Sequence, residues 1–331
     1  MLTEPPDLDR ASLAALLEAR WGVTGARLEY LPLGFGSHHW DTVDALGRHW
    51  FVTVDDLEAS WRLGRHADGN VAALRRAFGT AAALRDDARL EFVLAPLADA
   101  EERIVNRAGR RYAVTVAPFL GGRSEKWGPW VTEEERRGMA TLLGRLHAAT
   151  GAVSPDLPGR EDFSLQSRAI LEAALSDLDR TWDTGPFGEP TRALLAPRAA
   201  DVRRRLAAYD TLAARVLRRP GWVITHGEPH RANVIRDGAG AAHVVDWDTT
   251  LLAPRERDLW MVLDDRRAGW HEYLSALGAD VELDTDALEL YREWWAISDV
   301  ANFVAGFRRP HGRTDQTSAE FDILTENLRP T

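Results

Sequence analysis

The sequence predicts an α+β chain in two lobes, and three observations carry that prediction. Strand-like apolar runs broken by glycine turns dominate residues 27–119. Helical spacing of apolar residues takes over from Thr132. Between Val223 and Asp248 the pattern returns to strand, polar loop, hairpin and second polar loop, with acids and an amide in the loops. The lobes are expected at residues 1–120, a sheet with a helix, and 121–331, mostly helical.

Asp9 to Trp21 places Leu13, Leu16 and Leu17 on one helical face and stops at Gly22. Strands are expected at Arg27–Leu33, His39–Val43 and Trp50–Val54, broken by Gly34-Phe35-Gly36-Ser37 and Ala45-Leu46-Gly47. Asn70 to Leu84 aligns Val71, Leu74, Phe78 and Ala82 as a helix. Three further strands are expected at Leu90–Leu94, Arg103–Arg107 and Arg111–Phe119, followed by the loop Pro118-Phe119-Leu120-Gly121-Gly122. Thr132 and Glu135 form a capping box opening a helix to Ala149. Helices over Leu165–Trp182 and Pro190–Leu217 follow, the second strongly basic, and Pro220-Gly221 ends it. Arg255-Glu256-Arg257-Asp258-Leu259-Trp260 opens another, and Gly269–Leu277 and Asp286–Phe307 are the last clear ones.

With 331 residues, 45% apolar and 28% charged, the chain has the composition of a folded globular protein. A net charge of −10 argues against a nucleic-acid partner and suits a cationic small substrate. The absence of cysteine removes disulfides and thiolate chemistry. The acidic start Met1-Leu2-Thr3-Glu4-Pro5-Pro6-Asp7 has no apolar core of a signal peptide, and no stretch approaches the ~20 apolar residues of a membrane span, so a cytoplasmic location is expected.

The chemistry concentrates in Thr225-His226-Gly227-Glu228-Pro229-His230-Arg231-Ala232-Asn233 and Val244-Val245-Asp246-Trp247-Asp248. Acid, amide and acid at such spacing can hold Mg²⁺ and position a hydroxyl for phosphoryl transfer. Two other readings compete: an acidic loop of a barrel-like enzyme, and a zinc site from His226, Glu228 and His230. A His pair at i, i+4 binds zinc on a helix, and Pro229 forbids a helix interior there.

The arrangement resembles the catalytic and metal-binding loops of the aminoglycoside phosphotransferase family, the small-molecule branch of the protein-kinase-like fold. That family shows His-Gly-Asp, four residues, Asn, then a hydrophobic strand ending in Asp. This chain matches at His226, Gly227, Asn233 and Asp246, with Glu228 in place of Asp. The resemblance implies a bilobal fold whose first lobe is a five-stranded antiparallel sheet with one helix. It implies Glu228 as base or orienter of the acceptor hydroxyl, with His226 in the catalytic loop and Asp258 orienting that loop. Asn233 and Asp246 would hold Mg²⁺, while Asp248 would hold a second ion or cap a turn. Gly34, Gly36, Ser37 and His38 would cover the triphosphate of ATP or GTP, and Phe119 and Leu120 would meet the purine. The partner implied is a small hydroxyl acceptor, an aminoglycoside or another antibiotic, a choline-like amine or a sugar.

Two departures stand out. Phe51-Val52-Thr53-Val54-Asp55-Asp56 aligns with the strand whose central lysine pairs with nucleotide phosphates in the family, and here the residue is Thr53. The Asn70–Leu84 helix also lacks the glutamate that would hold such a lysine. The chain has one lysine, Lys126, against forty arginines, a coding bias that would have given Arg rather than Thr. Substitute cations are His38, His39, Arg48, Arg75 and Arg76. The site is therefore either a rebuilt phosphotransferase or a non-catalytic nucleotide binder. His147 is expected as a satisfied core histidine. The acids Asp280, Glu282, Asp284, Asp286, Glu289 and Glu293 are expected either beside a cationic acceptor or as a solvated face.

Overall fold

The computed structural model describes every residue except Leu2, Pro6, Phe35, residues 59–66, Pro330 and Thr331. The chain divides into two compact units, Met1–Glu161 with Gly221–Leu283, and Asp162–Pro220 with Asp284–Thr331. The expected lobe boundary after residue 120 falls inside the first unit.

In the first unit, helix α1 (Arg10–Trp21) begins where the Asp9 carboxylate accepts the Ser12 amide at 2.8 Å. It ends on Gly22, whose φ of 64° suits a residue without Cβ. Strands β1 (Arg27–Leu31), β2 (Ser37–Val43), β3 (His49–Asp56), β4 (Asn106–Ala108) and β5 (Tyr112–Pro118) form an antiparallel sheet in the order β1-β2-β3-β5-β4. One face buries Trp40, Val52, Val54, Val114 and Val116 against Leu13 and Leu17 of α1. Because side chains alternate along a strand, the residues between them point to the other face. Helix α2 (Ala67–Asp86) follows.

Leu90–Leu94 is not a strand of this sheet. Val93 makes an isolated parallel bridge to Val244, with the Val244 amide donating to Phe92 O and the Leu94 amide to Val244 O. The apolar run crosses to the later hairpin instead. Nor does Arg103 begin a strand: its backbone and guanidinium both bond Asp99, holding a turn, and pairing starts at Asn106.

Strand β6 (Gly122–Ser124) leaves the sheet and pairs antiparallel with β9 (Val234–Asp237), itself paired with β10 (Ala242–Val244). A third small sheet joins β7 (Gly159–Arg160), β11 (Leu251–Ala253) and β8 (Val223–Thr225). Helix α3 (Glu133–Ala148) opens with the expected Thr132/Glu135 capping box. Helix α7 (Glu256–Val262) and helix α8 (Trp270–Leu277) complete the unit. Gly144 sets the α3–α8 approach, since a Cβ there would lie 2.5 Å from the Tyr273 carbonyl oxygen.

The second unit holds α4 (Arg168–Leu175), α5 (Gly188–Leu195), α6 (Ala199–Val216), α9 (Thr285–Phe307) and α10 (Asp315–Asn327). The helix expected over Leu165–Trp182 covers only Arg168–Leu175; the Trp182 indole N–H returns to Asp177 O at 3.1 Å, closing the chain into a turn. Pro190–Leu217 is two helices split by a 3₁₀ turn at Ala196–Arg198, where Pro197 lacks an amide donor.

The basic and acidic runs of this unit neutralise one another. Arg219 pairs with Asp284 and, at 2.7 Å, with Asp286, and Arg205 reaches Glu293 at 2.9 Å. Three of the six acids set aside for a cationic acceptor thus already have arginine partners. Among the described residues no helix is long and apolar enough to cross a membrane.

Candidate active site

The catalytic-loop sequence follows β8, and Asp258 fixes its backbone. Its Oδ1 accepts the Gly227 amide at 2.6 Å and its Oδ2 the His226 amide at 2.9 Å. Oδ2 also takes His147 Nε2 at 3.0 Å, and His147 Nδ1 meets the Tyr273 hydroxyl at 2.9 Å. Asp258 and His147 are buried, His147 with both ring nitrogens satisfied as expected. Burial alone would raise the Asp258 pKa. The hydrogen bond from His147, with the charge of the neighbouring Arg257 guanidinium, outweighs it, and the carboxyl stays below its ordinary value.

Arg257 holds the same loop from its other side. Its guanidinium donates to Thr225 Oγ1 and to Thr249 O, each at 2.9 Å, and Nε lies 3.5 Å from the buried Glu161 carboxylate. Gly227 has φ 101°, and a Cβ on it would sit 2.3 Å from Arg257 Nη1. Both conformation and space therefore demand glycine there.

His226 is fully buried and neutral. The Glu228 amide donates to its Nδ1 at 3.2 Å, and Nε2 lies 2.8 Å from Val245 O, which assigns the proton to Nε2. Burial pushes its pKa down, against the pull of the nearby carboxylates. Its ring stands edge-on to Trp247 at 4.7 Å between centroids.

Glu228 follows directly and is buried, with its carboxylate 3.7 Å from His230 Nε2. Asn233 closes the loop: its Nδ2 donates to Glu228 O at 3.0 Å, which leaves Oδ1 as an acceptor for other partners. The Val245 amide donates to Asn233 O at 3.0 Å, so the strand that delivers Asp246 is tied to the loop that delivers Asn233. Asp246 is exposed and takes the left-handed conformation, φ 68° and ψ 60°. Asp248 lies in the 3₁₀ turn after it.

This donor set fits Mg²⁺: a carboxylate and an amide oxygen, both hard ligands, on one bonded pair of loops. Among the described residues no three His, Cys, Asp or Glu side chains form a metal cage. Mg²⁺ is ordinarily held by one or two carboxylates with substrate phosphates and water, so no such cage is required.

In the sheet, Gly34 and Gly36 have φ of 64° and 113° in the β1–β2 turn, and Ser37 Oγ donates to Asp55 Oδ1 at 2.6 Å. Thr53 pairs with His39 on β2 and Thr115 on β5, so these three share a face with Phe51 and Asp55. His38, expected at the nucleotide, lies on the opposite, apolar face; its Nδ1 is 3.1 Å from the Tyr30 hydroxyl. His39 does touch Thr53, Nδ1 to Oγ1 at 3.2 Å, and stacks on Phe51. Burial pushes its pKa down to about 3, so it is no cation at neutral pH.

The other substitutes differ in how far they are engaged. Arg48 is bonded to Asp44 at 2.6 Å, Arg75 is exposed, and Arg76 reaches Asp156 O at 3.1 Å. At the expected hinge, Phe119 stacks on His49 and its amide donates to His49 O, so that N–H is not free for a purine. Leu120 lies beside it, half-buried.

Sequence reading missed Arg257, Thr225, Thr249 and Tyr273. Arg257 had a signal, as a basic residue adjoining Asp258 at a helix start; the threonines had none.

Comparison with known proteins places the chain in a family. Residues 42–294 match the model of the Phosphotransferase enzyme family (APH), and the chain belongs to that family. Similar solved structures include spectinomycin phosphotransferase in complex with ADP and spectinomycin, at 15% identity and a TM-score of 0.72, covering 98% of this chain and 96% of that one. Amicoumacin kinase in complex with AMP-PNP, Ca²⁺ and Ami is 13% identical with a TM-score of 0.61, over 97% and 93% of the two chains. Choline kinase from Streptococcus pneumoniae is 12% identical, TM-score 0.57, over 96% and 97%. At such identities the likeness shows the fold, which is the α+β protein-kinase-like fold of small-molecule kinases. No curated protein matches the sequence.

Proposed function

We propose that this phosphotransferase moves the γ-phosphate of a Mg²⁺-bound nucleoside triphosphate, ATP or GTP, to a hydroxyl of a small polar molecule, an antibiotic in the first instance. The observation that carries the reading is the pair of hydrogen bonds that the His226 and Gly227 amides donate to the Asp258 carboxylate. It fixes the peptide immediately before Glu228, and phosphoryl transfer depends chiefly on positioning and charge neutralisation.

Glu228 is the acid beside the acceptor. It takes the hydroxyl proton or orients the hydroxyl by hydrogen bonding. Its reference pKa is close to that of aspartate, so the change of residue lengthens the reach by one methylene and leaves the basicity nearly unchanged. Asn233 and Asp246 would hold Mg²⁺, whose part when bound is to neutralise phosphate oxygens. His226, neutral and locked between the Glu228 amide and Val245 O, ties the catalytic loop to the strand before Asp246. The same protein-kinase-like fold in kinases of spectinomycin and amicoumacin supports an antibiotic acceptor.

The neutral His39–Thr53 pair at the position of the family's lysine favours a second reading, a nucleotide binder without turnover. A panel of aminoglycosides, other antibiotics, amino alcohols and sugars, incubated with ATP or GTP and Mg²⁺ and read by mass for the gain of one phosphate, decides between them. A phosphorylated product that disappears in Asp246→Asn supports transfer. Nucleotide binding with no product across the panel supports the binder.

A further inference from the structure

Beside the catalytic loop, a cavity of about 410 Å³ opens between β6, the start of α3 and β9. Its wall contains a charge arrangement the phosphotransferase reading does not use. Strands β6 and β9 pair so that Arg123 and Arg236 are direct cross-strand partners. Gly122 permits this approach, since a Cβ there would lie 2.5 Å from the Arg236 carbonyl oxygen. Cross-strand partners project to one face with Cβ atoms about 4.5–5.5 Å apart, and like charges so placed repel. Both arginines line the cavity, and among the described residues neither guanidinium has an acidic partner.

A third guanidinium joins them. Arg231 is mostly buried, and its Nη2 lies 3.4 Å from Glu125 and 3.7 Å from Glu135, too far for well-formed hydrogen bonds. Its Nε is buried with no hydrogen-bond partner. The other acids of the wall are engaged: Glu135 Oε2 accepts the Val131 and Thr132 amides, and Asp237 accepts the Ala239 and Ala241 amides and lies 3.0 Å from His243 Nε2. Trp130 supplies an apolar surface. The wall carries three guanidinium groups against three carboxylates, yet among the described residues Arg123 and Arg236 have no acid within ion-pair distance and Arg231 keeps a buried Nε without a partner; the volume falls in the range of small-ligand sites.

We propose that this cavity binds an anionic small molecule, a phosphate- or carboxylate-bearing compound held by Arg123, Arg236 and Arg231. Guanidinium presents paired N–H donors that match both anions. Arg231 lies on the catalytic loop between Glu228 and Asn233, so the anion would sit against the outer side of the segment that carries the proposed acid and metal ligand.

The test is calorimetric titration of the full chain with sodium pyrophosphate and, separately, citrate, with chelator present and ionic strength held constant by NaCl. Arg123→Gln/Arg236→Gln and Arg236→Lys are titrated in parallel. The expected result is one saturable site in the parent, weakened at least tenfold in the double variant and retained in Arg236→Lys. Removing two repelling charges should leave the unliganded double variant as stable as the parent. Saturation by pyrophosphate alone assigns the phosphate class, by citrate alone the carboxylate class, and by both a general anion site. No saturable binding by either anion, or equal binding in parent and double variant, overturns the proposal. The outcome is independent of phosphoryl transfer, since neither nucleotide nor acceptor is present.

Discussion

His39 Nδ1 lies 3.2 Å from Thr53 Oγ1, a neutral pair on the strand where the family resemblance leads one to expect a lysine. A hydroxyl cannot replace an ammonium beside a triphosphate. Thr53→Ala should therefore change nucleotide affinity by no more than about 1 kcal/mol, the worth of one neutral hydrogen bond. Thr53→Lys should not improve it, because the new ammonium would be pressed against His39 with no carboxylate from α2 to hold it. Nucleotide titration of both variants checks this; tighter binding by Thr53→Lys would show that the site merely lacks its cation.

Asp258→Asn tests the loop anchor. An amide side chain has one acceptor oxygen where the carboxylate has two, and its NH₂ would face the amide of Gly227 or of His226. A loss of about 2–4 kcal/mol in urea unfolding is expected. Turnover of the acceptor found in the panel should fall by at least ~10²-fold, since a small misplacement of the loop is costly in rate.

Glu228→Gln keeps the shape of the side chain and removes the charge. It should lower kcat ~10²-fold or more, with Glu228→Asp retaining part of the activity. Parent-like turnover in the Gln variant would transfer the role to another acid, Asp248 being the nearest in sequence to the metal loop.

Gly227→Ala should be severe, because the methyl meets the Arg257 guanidinium and the backbone sits at φ 101°. We expect a loss of about 2 kcal/mol or more, of which strain is about 1–3 kcal/mol. Gly227→Ala/Arg257→Ala relieves the clash but not the strain. If Gly227→Ala costs as much in an Arg257→Ala background as in the parent, the packing of Arg257 on Gly227 is not the cause.

Acid should weaken the fold through its buried histidines. His39 and His226 have lowered pKa values, so below about pH 6.5 the unfolded chain takes up protons that the folded chain refuses. Stability therefore falls as pH drops from 6.5 toward the folded values and is insensitive to these groups above it. Between pH 7 and pH 5, His39 should account for about 1–2 kcal/mol of the loss. Urea unfolding of His39→Asn at both pH values should show a shallower dependence than the parent.

The helix caps and the loop chemistry were legible in the sequence because they are local. Asp9, Gly22 and the Thr132/Glu135 box announce their helix ends, and His226, Glu228, Asn233 and Asp246 lie close together along the chain. What stayed hidden depends on distant partners. Leu90–Leu94 is apolar enough for a strand, yet nothing in it says that its partner is Val244. The alternation of β2 decides between His38 and His39, and the exact start of the strand was needed to see which one faces Thr53. The acids Asp284, Asp286 and Glu293 read as a lure for a cation until Arg219, just past α6, and Arg205 within it are found to occupy them. Pro197 is visible as a helix breaker but was absorbed into one long basic run.

The left-handed backbone of Asp246 has a consequence for how that position tolerates change. Asparagine and glycine adopt such dihedrals readily, whereas alanine and the branched residues resist them. A saturation library at Asp246 should thus sort by two different rules. Soluble, folded protein should be recovered best for Asp, Asn and Gly, whatever their chemistry, while activity should be confined to the carboxylates. Alanine, the usual choice for deleting a carboxylate, would unsettle the turn over Trp247 along with the charge, and its loss of function would misstate how much the charge itself matters.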